Sequence, residues 1–96
     1  MAKTESYKDH LIESLKDPSA AAHYLTACLE DGDTEVFLLA LRDVAEAQGG
    51  MRKLSQRTRL NRENLYRMLS TSGNPALSSL RPLLYALGLR LAVEVK

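Results

Sequence analysis

Hydrophobic residues recur along most of the chain at the three- and four-residue spacing of an α-helix. Between residues 35 and 48 they cover more than one stripe, which predicts a helix buried on a wide face. Two later runs, residues 62–70 and a run starting at Ser78 or Ser79, each carry Leu or Met along one face. The inward sets are Leu65, Met68 and Leu69 in the first run and Leu80, Leu83, Leu84 and Leu87 in the second. The pattern therefore predicts amphipathic helices packed around a shared apolar core.

Proline, glycine and short polar residues divide this pattern into five or six short helices. The expected spans are 7–15, 18–29, 35–48, 51–58, 62–70 and a last helix that ends near residue 87. The expected N-caps are Asp17, followed by Pro18, then Thr34, with Asp33 as the alternative, and Asn61. Gly88 is expected to close the last helix, and Pro82 to lie in its first turn, where proline is tolerated.

Near the end of the chain, the spacing of the hydrophobic residues changes from three or four positions to two. Leu89, Leu91, Val93 and Val95 alternate with smaller or charged residues, which predicts a short C-terminal β-strand over residues 89–95. A lone strand has no partner in a helical monomer, so we expect it to pair with itself in a dimer or with another protein. The predicted fold class is all-α with this one short strand, in a single domain of residues 1–96.

Charge divides the chain into two unlike halves. Residues 1–48 carry four Lys or Arg against ten Asp or Glu, a net charge of −6, whereas residues 49–96 carry nine against two, a net charge of +7. Six of the nine basic residues lie between Arg52 and Arg67. An acidic helical half at 1–48 and a basic half at 49–88 indicate a protein that holds a polyanion at one end and a different partner at the other.

The basic half has the pattern of a helix-turn-helix. Leu54, Leu60, Leu65 and Met68 are spaced to form a small core between residues 51–58 and 62–70, so that the second helix enters the major groove of DNA. Its outward residues combine cations for phosphates with Arg, Asn and Glu side chains that match base edges. The candidate DNA-binding residues are Arg52, Lys53, Gln56, Arg57, Arg59, Asn61, Arg62, Glu63, Asn64, Tyr66, Arg67 and Ser70.

Each of these interpretations has a simpler alternative. The basic run also fits a solvated helix face without a ligand, and the acidic half fits a surface that only maintains solubility. Glu63 suits either a cytosine contact or a first-turn acid that favours the helix N-terminus. Tyr66 suits a phosphate contact through its hydroxyl, or half-buried packing, better than base reading.

Other functional classes are less compatible with the residues present. Cys28 is the single cysteine, which excludes an intrachain disulfide and favours a reducing cytoplasm. No apolar run approaches the ~20 residues of a membrane span. His10, His23 and Cys28 lack the spacing of a metal site, and no catalytic constellation is present, so we expect no metal, no cofactor and no enzymatic activity.

Several motifs in register resemble the HigA-like addiction-module antidotes, which are antitoxins with an Xre/phage-repressor-type (lambda-repressor-like) helix-turn-helix. The motifs are LEDGD (29–33), LRDV (41–44), GGM (49–51), NLYRMLS (64–70), GNP (73–75) and ALGLRL (86–91), within a resemblance that covers residues 14–95. The resemblance implies a dimeric antitoxin that neutralises a RelE/HigB-type ribonuclease toxin and represses its own operon by binding operator DNA. It also favours the acidic half as the surface for a small basic toxin.

One feature departs from the family pattern. The family commonly has Ala in the first helix and Gly in the turn, where this chain has Ser55 and Arg59. Ser is small enough for the helix crossing, whereas Arg59 must adopt a left-handed conformation or mark a different turn. The alternative function is a stand-alone Xre-type repressor without a toxin partner.

Overall fold

The chain folds into six α-helices in the computed structural model, which describes the backbone of residues 2–96 and the side chains from residue 7 onwards. The helices are α1 (Ala2–Ser14), α2 (Pro18–Asp31), α3 (Thr34–Ala47), α4 (Gly50–Thr58), α5 (Arg62–Met68) and α6 (Leu77–Ala86). All six lie where the hydrophobic pattern predicted helices. Their ends differ from the prediction by up to five residues, since α1 begins at Ala2 and not at residue 7.

Two predicted caps fix the entries to α3 and α5. The Asp33 carboxylate accepts hydrogen bonds from the backbone N–H groups of Glu35 and Val36 at 3.0 and 3.3 Å, so Asp33, and not Thr34, is the N-cap of α3. Asn61 accepts from the N–H of Glu63 at 2.7 Å. Asp17 occupies the N-cap position of α2, but its side chain makes no capping hydrogen bond.

The end of α6 forms the predicted glycine stop. Gly88 has φ 80°, and its N–H donates to the carbonyl of Tyr85 at 3.0 Å. The N–H of Leu89 reaches the carbonyl of Leu84 at 2.9 Å, which completes a Schellman motif. The chain therefore leaves α6 in a defined direction.

The predicted place of Pro82 is wrong. Helix α6 begins at Leu77, with Ala76 as its N-cap, and so Pro82 is the sixth residue and lies inside the helix. Without an N–H, Pro82 leaves the carbonyl of Ser78 without its helical hydrogen bond. Ser78 is exposed, which leaves that carbonyl open to water.

Helix α3 is at the centre of the packing. It contacts α1, α2 and α4, while α4 contacts α5 and α6, so α4 joins the two halves. The largest fully buried side chains are Leu15, Leu38, Leu41, Leu65, Leu69, Leu83 and Val44. The predicted wide buried face of α3 is confirmed, because Phe37, Leu38, Leu41 and Val44 are all buried. Val36 and Leu39 remain 39% and 41% exposed.

The predicted C-terminal β-strand is wrong. Residues 89–96 have no regular secondary structure, and no residue between 2 and 96 belongs to a strand. A strand is defined by hydrogen bonds to a neighbouring strand, and the part of the chain that the structure describes contains no second strand for this segment to pair with. The alternation in the sequence therefore leaves an open segment in the single chain, in which Val93 and Val95 are fully exposed.

Candidate nucleic-acid interface

The turn between α4 and α5 contains a left-handed arginine. Arg59 has φ 62° and ψ 15°, and it is the one non-glycine residue with positive φ in the described chain. Its N–H donates to the carbonyl of Ser55 at 2.8 Å, which closes α4. Of the two alternatives that the sequence left for this position, the left-handed conformation is the one observed.

Two hydroxyl groups of α4 hold the turn. Ser55 Oγ donates to the carbonyl of Leu60 at 2.5 Å, and the N–H of Leu60 donates to Thr58 Oγ1 at 3.1 Å. The Thr58 hydroxyl in turn donates to the carbonyl of Leu54 at 2.8 Å. Both backbone polar groups of Leu60 are therefore bonded to α4 side chains. Sequence reasoning considered only the size of Ser55 and missed this bond.

The core beneath the turn is close to the predicted one. Leu54 and Leu65 are buried at 2% and 0% exposure, and Leu60 and Met68 pack against the core as half-buried side chains. Leu69, just beyond the end of α5, is completely buried. The two helices are therefore held together by apolar contacts on their inner faces.

The outer faces of α4 and α5 carry the predicted binding residues. Eleven of the twelve are exposed, and Ser70 is half-buried. The exposed residues are Arg52, Lys53, Gln56, Arg57, Arg59, Asn61, Arg62, Glu63, Asn64, Tyr66 and Arg67. The Ser70 hydroxyl donates to the carbonyl of Arg67 at 2.8 Å and so completes the end of α5.

Two of the arginines have hydrogen-bond partners within the protein. Arg67 Nη2 donates to Asn64 Oδ1 at 2.9 Å, which orients the guanidinium along the surface of α5. Arg57 Nη1 donates to the carbonyl of Ala86 at 3.3 Å and links α4 to the last residue of α6. Arg57 therefore has a structural contact that its place in the sequence did not indicate.

A further cation lies beside the predicted set. The Arg42 guanidinium of α3 is 5.7 Å from the centroid of the Tyr66 ring, a cation–π distance, and Tyr66 is 45% exposed. Sequence reasoning placed Arg42 in the acidic half and missed its contact with α5. Arg42 and Tyr66 lie on different helices, so no local spacing signals their approach.

The basic residues of this surface form no ion pair among the described side chains. The one ion pair between residues 7 and 96 joins Lys16 to Glu13 at 3.0 Å, far along the chain from α4 and α5. The unpaired cations are Arg52, Lys53, Arg57, Arg59, Arg62 and Arg67. Six cations against the one carboxylate of Glu63 leave this surface with a net positive charge, which attracts a polyanion.

The titratable groups with shifted pKa values lie away from this surface. The Tyr24 hydroxyl donates to Asp43 Oδ2 at 3.1 Å; burial and then the Asp43 charge raise the pKa of Tyr24 to about 12. Burial, followed by the charges of Asp31 and Asp43, raises the pKa of the Cys28 thiol, which is half-buried. A thiol kept protonated is a poor nucleophile.

Neither a metal site nor a membrane segment is evident in the part of the chain that the structure describes. Its His, Cys, Asp and Glu side chains form no group of three or more placed to hold a metal ion. None of its helices has the length and apolarity that a membrane span requires.

A six-helix fold that carries an exposed basic surface defines a small helical binding protein. Residues 5–95 match the family model described as "Probable addiction module antidote protein", and the chain belongs to this family. It is an antitoxin, a regulatory protein and not an enzyme, and its partner is a toxin. These parts of the sequence prediction are confirmed.

One curated relative supports the match. An uncharacterized protein of Haemophilus influenzae is 32% identical over 93 residues, which cover 88% of this chain and 95% of the relative. No solved structure matches the chain.

Proposed function

We propose that α4 and α5 form a helix-turn-helix that binds double-stranded DNA, with α5 in the major groove. The observation that carries the proposal is a set of six exposed cations on two helices and the turn between them, none of which forms an ion pair among the described side chains. The inner faces of those helices are fixed by Leu54, Leu65 and Leu69. Rigid helices of this kind present side chains to base edges in a reproducible register.

Arg67 is the leading candidate for reading a base. Its hydrogen bond to Asn64 restrains the guanidinium and leaves other N–H donors free, and a restrained guanidinium suits bidentate bonding to guanine O6 and N7. Arg62 and Glu63 lie one turn nearer the start of α5 and are both exposed. Glu63 keeps both of its predicted roles, as a first-turn acid and as a cytosine contact. Its backbone N–H donates to the N-cap Asn61, and its carboxylate is free to accept a hydrogen bond from cytosine.

The residues of α4 and the turn are proposed as phosphate contacts. Arg52, Lys53 and Arg59 are exposed and carry charge without a base-specific geometry. Each phosphate that a cation neutralises contributes about −0.9 to the slope of log K against log salt concentration. Arg57 combines a phosphate contact with its bond to Ala86.

We further propose that the toxin is a small basic ribonuclease of the RelE/HigB type and that it binds the acidic half. Helices α2 and α3 expose carboxylates at Glu30, Asp31 and Glu35. Helix α3 also exposes the apolar side chains of Val36 and Leu39. Carboxylates around an apolar patch suit a cationic protein partner, because charge complementarity speeds encounter while apolar burial supplies affinity.

The proposed regulation is repression of the operon that encodes both proteins, in the cytoplasm. A two-fold dimer would place two α5 helices about 34 Å apart, one turn of DNA, on a palindromic operator. The antidote family, which implies a toxin partner, favours this over a stand-alone Xre-type repressor.

The test is a titration of duplex DNA from upstream of the gene, with a scrambled duplex of equal length as the control. Fluorescence anisotropy at several salt concentrations should show tighter binding to the upstream duplex and a steep salt dependence. Equal affinity for both duplexes would refute sequence-specific binding.

For the toxin surface, replacing Glu30 and Asp31 with Lys should weaken binding of the protein encoded next to this gene without weakening DNA binding. Unchanged toxin affinity would exclude this surface.

A further inference from the structure

One cation of the acidic half lies against the proposed DNA-binding helix. The Arg42 guanidinium of α3 is 5.7 Å from the centroid of the Tyr66 ring of α5, which is within the range of a cation–π contact. Arg42 is half-buried and forms no ion pair among the described side chains. The guanidinium is therefore placed over an aromatic ring and not beside a carboxylate.

Helix α3 holds the backbone of Arg42 in place. Leu41 and Val44, which lie close to it on the same helix, are completely buried in the core. Asp43, the next residue, accepts a hydrogen bond from the Tyr24 hydroxyl at 3.1 Å, which ties α3 to α2. The Arg42 side chain therefore extends towards α5 from the most firmly packed helix of the fold.

Tyr66 lies one helical turn after Arg62 and Glu63 on α5, so the three side chains share one part of the outer face. Helical side chains lean towards the N-terminus, which brings the Tyr66 ring towards those two residues. Within α5 the side-chain hydrogen bond joins Arg67 to Asn64, and the Tyr66 hydroxyl is free. A free hydroxyl on an exposed helix face can donate to a phosphate oxygen of DNA.

The contact with Arg42 restrains a side chain that α5 alone does not hold. Helix α5 has seven residues and packs mainly against α4 through its inner face, whereas Tyr66 is 45% exposed. An exposed ring without a partner loses rotamer freedom when it binds, and that loss weakens affinity. A guanidinium that already lies over the ring removes part of this cost before DNA arrives.

We propose that Arg42 is a positioning residue for DNA binding: it holds the Tyr66 ring so that the phenol hydroxyl donates to a phosphate beside the major groove. This assignment rests on the proposed function, in which α5 lies in that groove. Of the roles that the sequence left open for Tyr66, it selects the phosphate contact. It also gives a residue of the acidic half a part in DNA binding.

A double-mutant cycle measured by anisotropy with the upstream duplex tests the assignment. Tyr66→Phe keeps the ring and the cation–π contact but removes the hydroxyl, and it should raise the dissociation constant about tenfold. Arg42→Met releases the ring and should raise the constant about threefold or more. In the variant that already carries Tyr66→Phe, Arg42→Met should raise it further by less than about twofold, because no hydroxyl is left to position.

Two further measurements separate this role from loss of charge and from loss of stability. Arg81→Met is the matched control for charge, because Arg81 is exposed on α6 outside the proposed DNA surface; the dissociation constant should stay within about twofold of the wild-type value. In thermal circular dichroism, Arg42→Met should lower Tm equally with and without Tyr66→Phe, since either ring makes the cation–π contact. Equal effects on Tm and unequal effects on DNA binding would assign the coupling to the hydroxyl.

The salt dependence distinguishes positioning from direct contact. A hydroxyl neutralises no phosphate charge, so Arg42→Met should leave the salt slope nearly unchanged; a fall of about 0.9 in its magnitude would make Arg42 itself the phosphate contact and overturn the positioning role. An equal loss of affinity from Arg42→Met with and without Tyr66→Phe would overturn it as well. Wild-type affinity in both single variants would do the same and leave DNA binding by α4 and α5 intact, whereas a wild-type chain that does not prefer the upstream duplex would refute the proposed function and this role with it.

Discussion

Replacement of Arg59 by Gly should raise stability and weaken DNA binding at the same time. Arg59 has φ 62°, and its side chain is exposed, so Gly would relieve backbone strain without leaving a cavity. Left-handed geometry costs an L-residue roughly 1–2 kcal/mol. The greater freedom of Gly in the unfolded chain offsets about 0.4–1 kcal/mol of that gain. The two ranges leave a net stabilisation of about 0–1.6 kcal/mol, and the midpoint of about 0.8 kcal/mol corresponds to roughly 3–6 °C in Tm for a domain of this size.

The same substitution removes one cation from the proposed DNA surface. The salt slope of DNA binding should fall in magnitude by about 0.9, with similar losses for the upstream and scrambled duplexes. Arg59→Ala is the matched control, because it removes the charge but keeps a Cβ at positive φ. It should weaken DNA binding to the same extent without raising Tm.

Thermal circular dichroism and anisotropy titrations over a range of salt concentrations measure the two effects separately. A lower Tm for Arg59→Gly than for the wild type would refute the strained turn. An unchanged salt slope would refute the phosphate contact and leave the turn geometry standing. Opposite changes in stability and binding would show that a cation occupies this position at the expense of folding free energy.

Three further predictions follow from the core, the DNA surface and the Tyr24 pair. Leu65→Ala should lower the free energy of unfolding by about 2–5 kcal/mol in urea melts, because Leu65 is completely buried; a fully stable variant would contradict its place in the core. Arg67→Ala should cost about 1–3 kcal/mol of binding to the cognate duplex and relax the preference at one base pair, and an equal loss on scrambled DNA would rule out base reading. Tyr24→Phe should be less stable at neutral pH by about 0.5–1.5 kcal/mol through loss of the hydrogen bond to Asp43. Because the pKa of Tyr24 is raised from 10.0 to about 12 in the folded protein, the unfolded chain loses this proton first as the pH rises. The free energy of unfolding of the wild type should therefore fall between pH 10 and 12, towards that of Tyr24→Phe. Urea melts that show a constant difference between the two proteins across this range would contradict the raised pKa.

The helices were predictable because their signals are local. The three- and four-residue spacing of Leu and Met, the caps at Asp33 and Asn61, and the stop at Gly88 all act within one or two turns of a helix. The boundaries of α6 were less predictable, because three serine or leucine positions near residue 77 can each begin a helix. Placing the start at Leu77 moved Pro82 into the helix interior.

The exposure of the candidate binding residues was also predictable, since a residue opposite a buried helical face points to solvent. The contacts of those residues were not. Arg57 reaches Ala86, Arg42 lies over Tyr66, and the Ser55 hydroxyl bonds to Leu60 across the turn. Such contacts depend on how helices and turns are placed in space, which local spacing does not specify.

The sequence by itself therefore determined the approximate positions of the helices, the buried side of α3 to α6, and the separation of negative from positive charge. These properties follow from the spacing of the hydrophobic residues, the capping residues and the charge composition, all of which depend on residues close together in the sequence. The tertiary structure decided that Arg59 is left-handed, that α4 joins the two halves, and that residues 89–96 form no strand in the single chain. Each of these depends on which groups find a partner across the fold, because an alternating segment becomes a strand only where another backbone is available to pair with it.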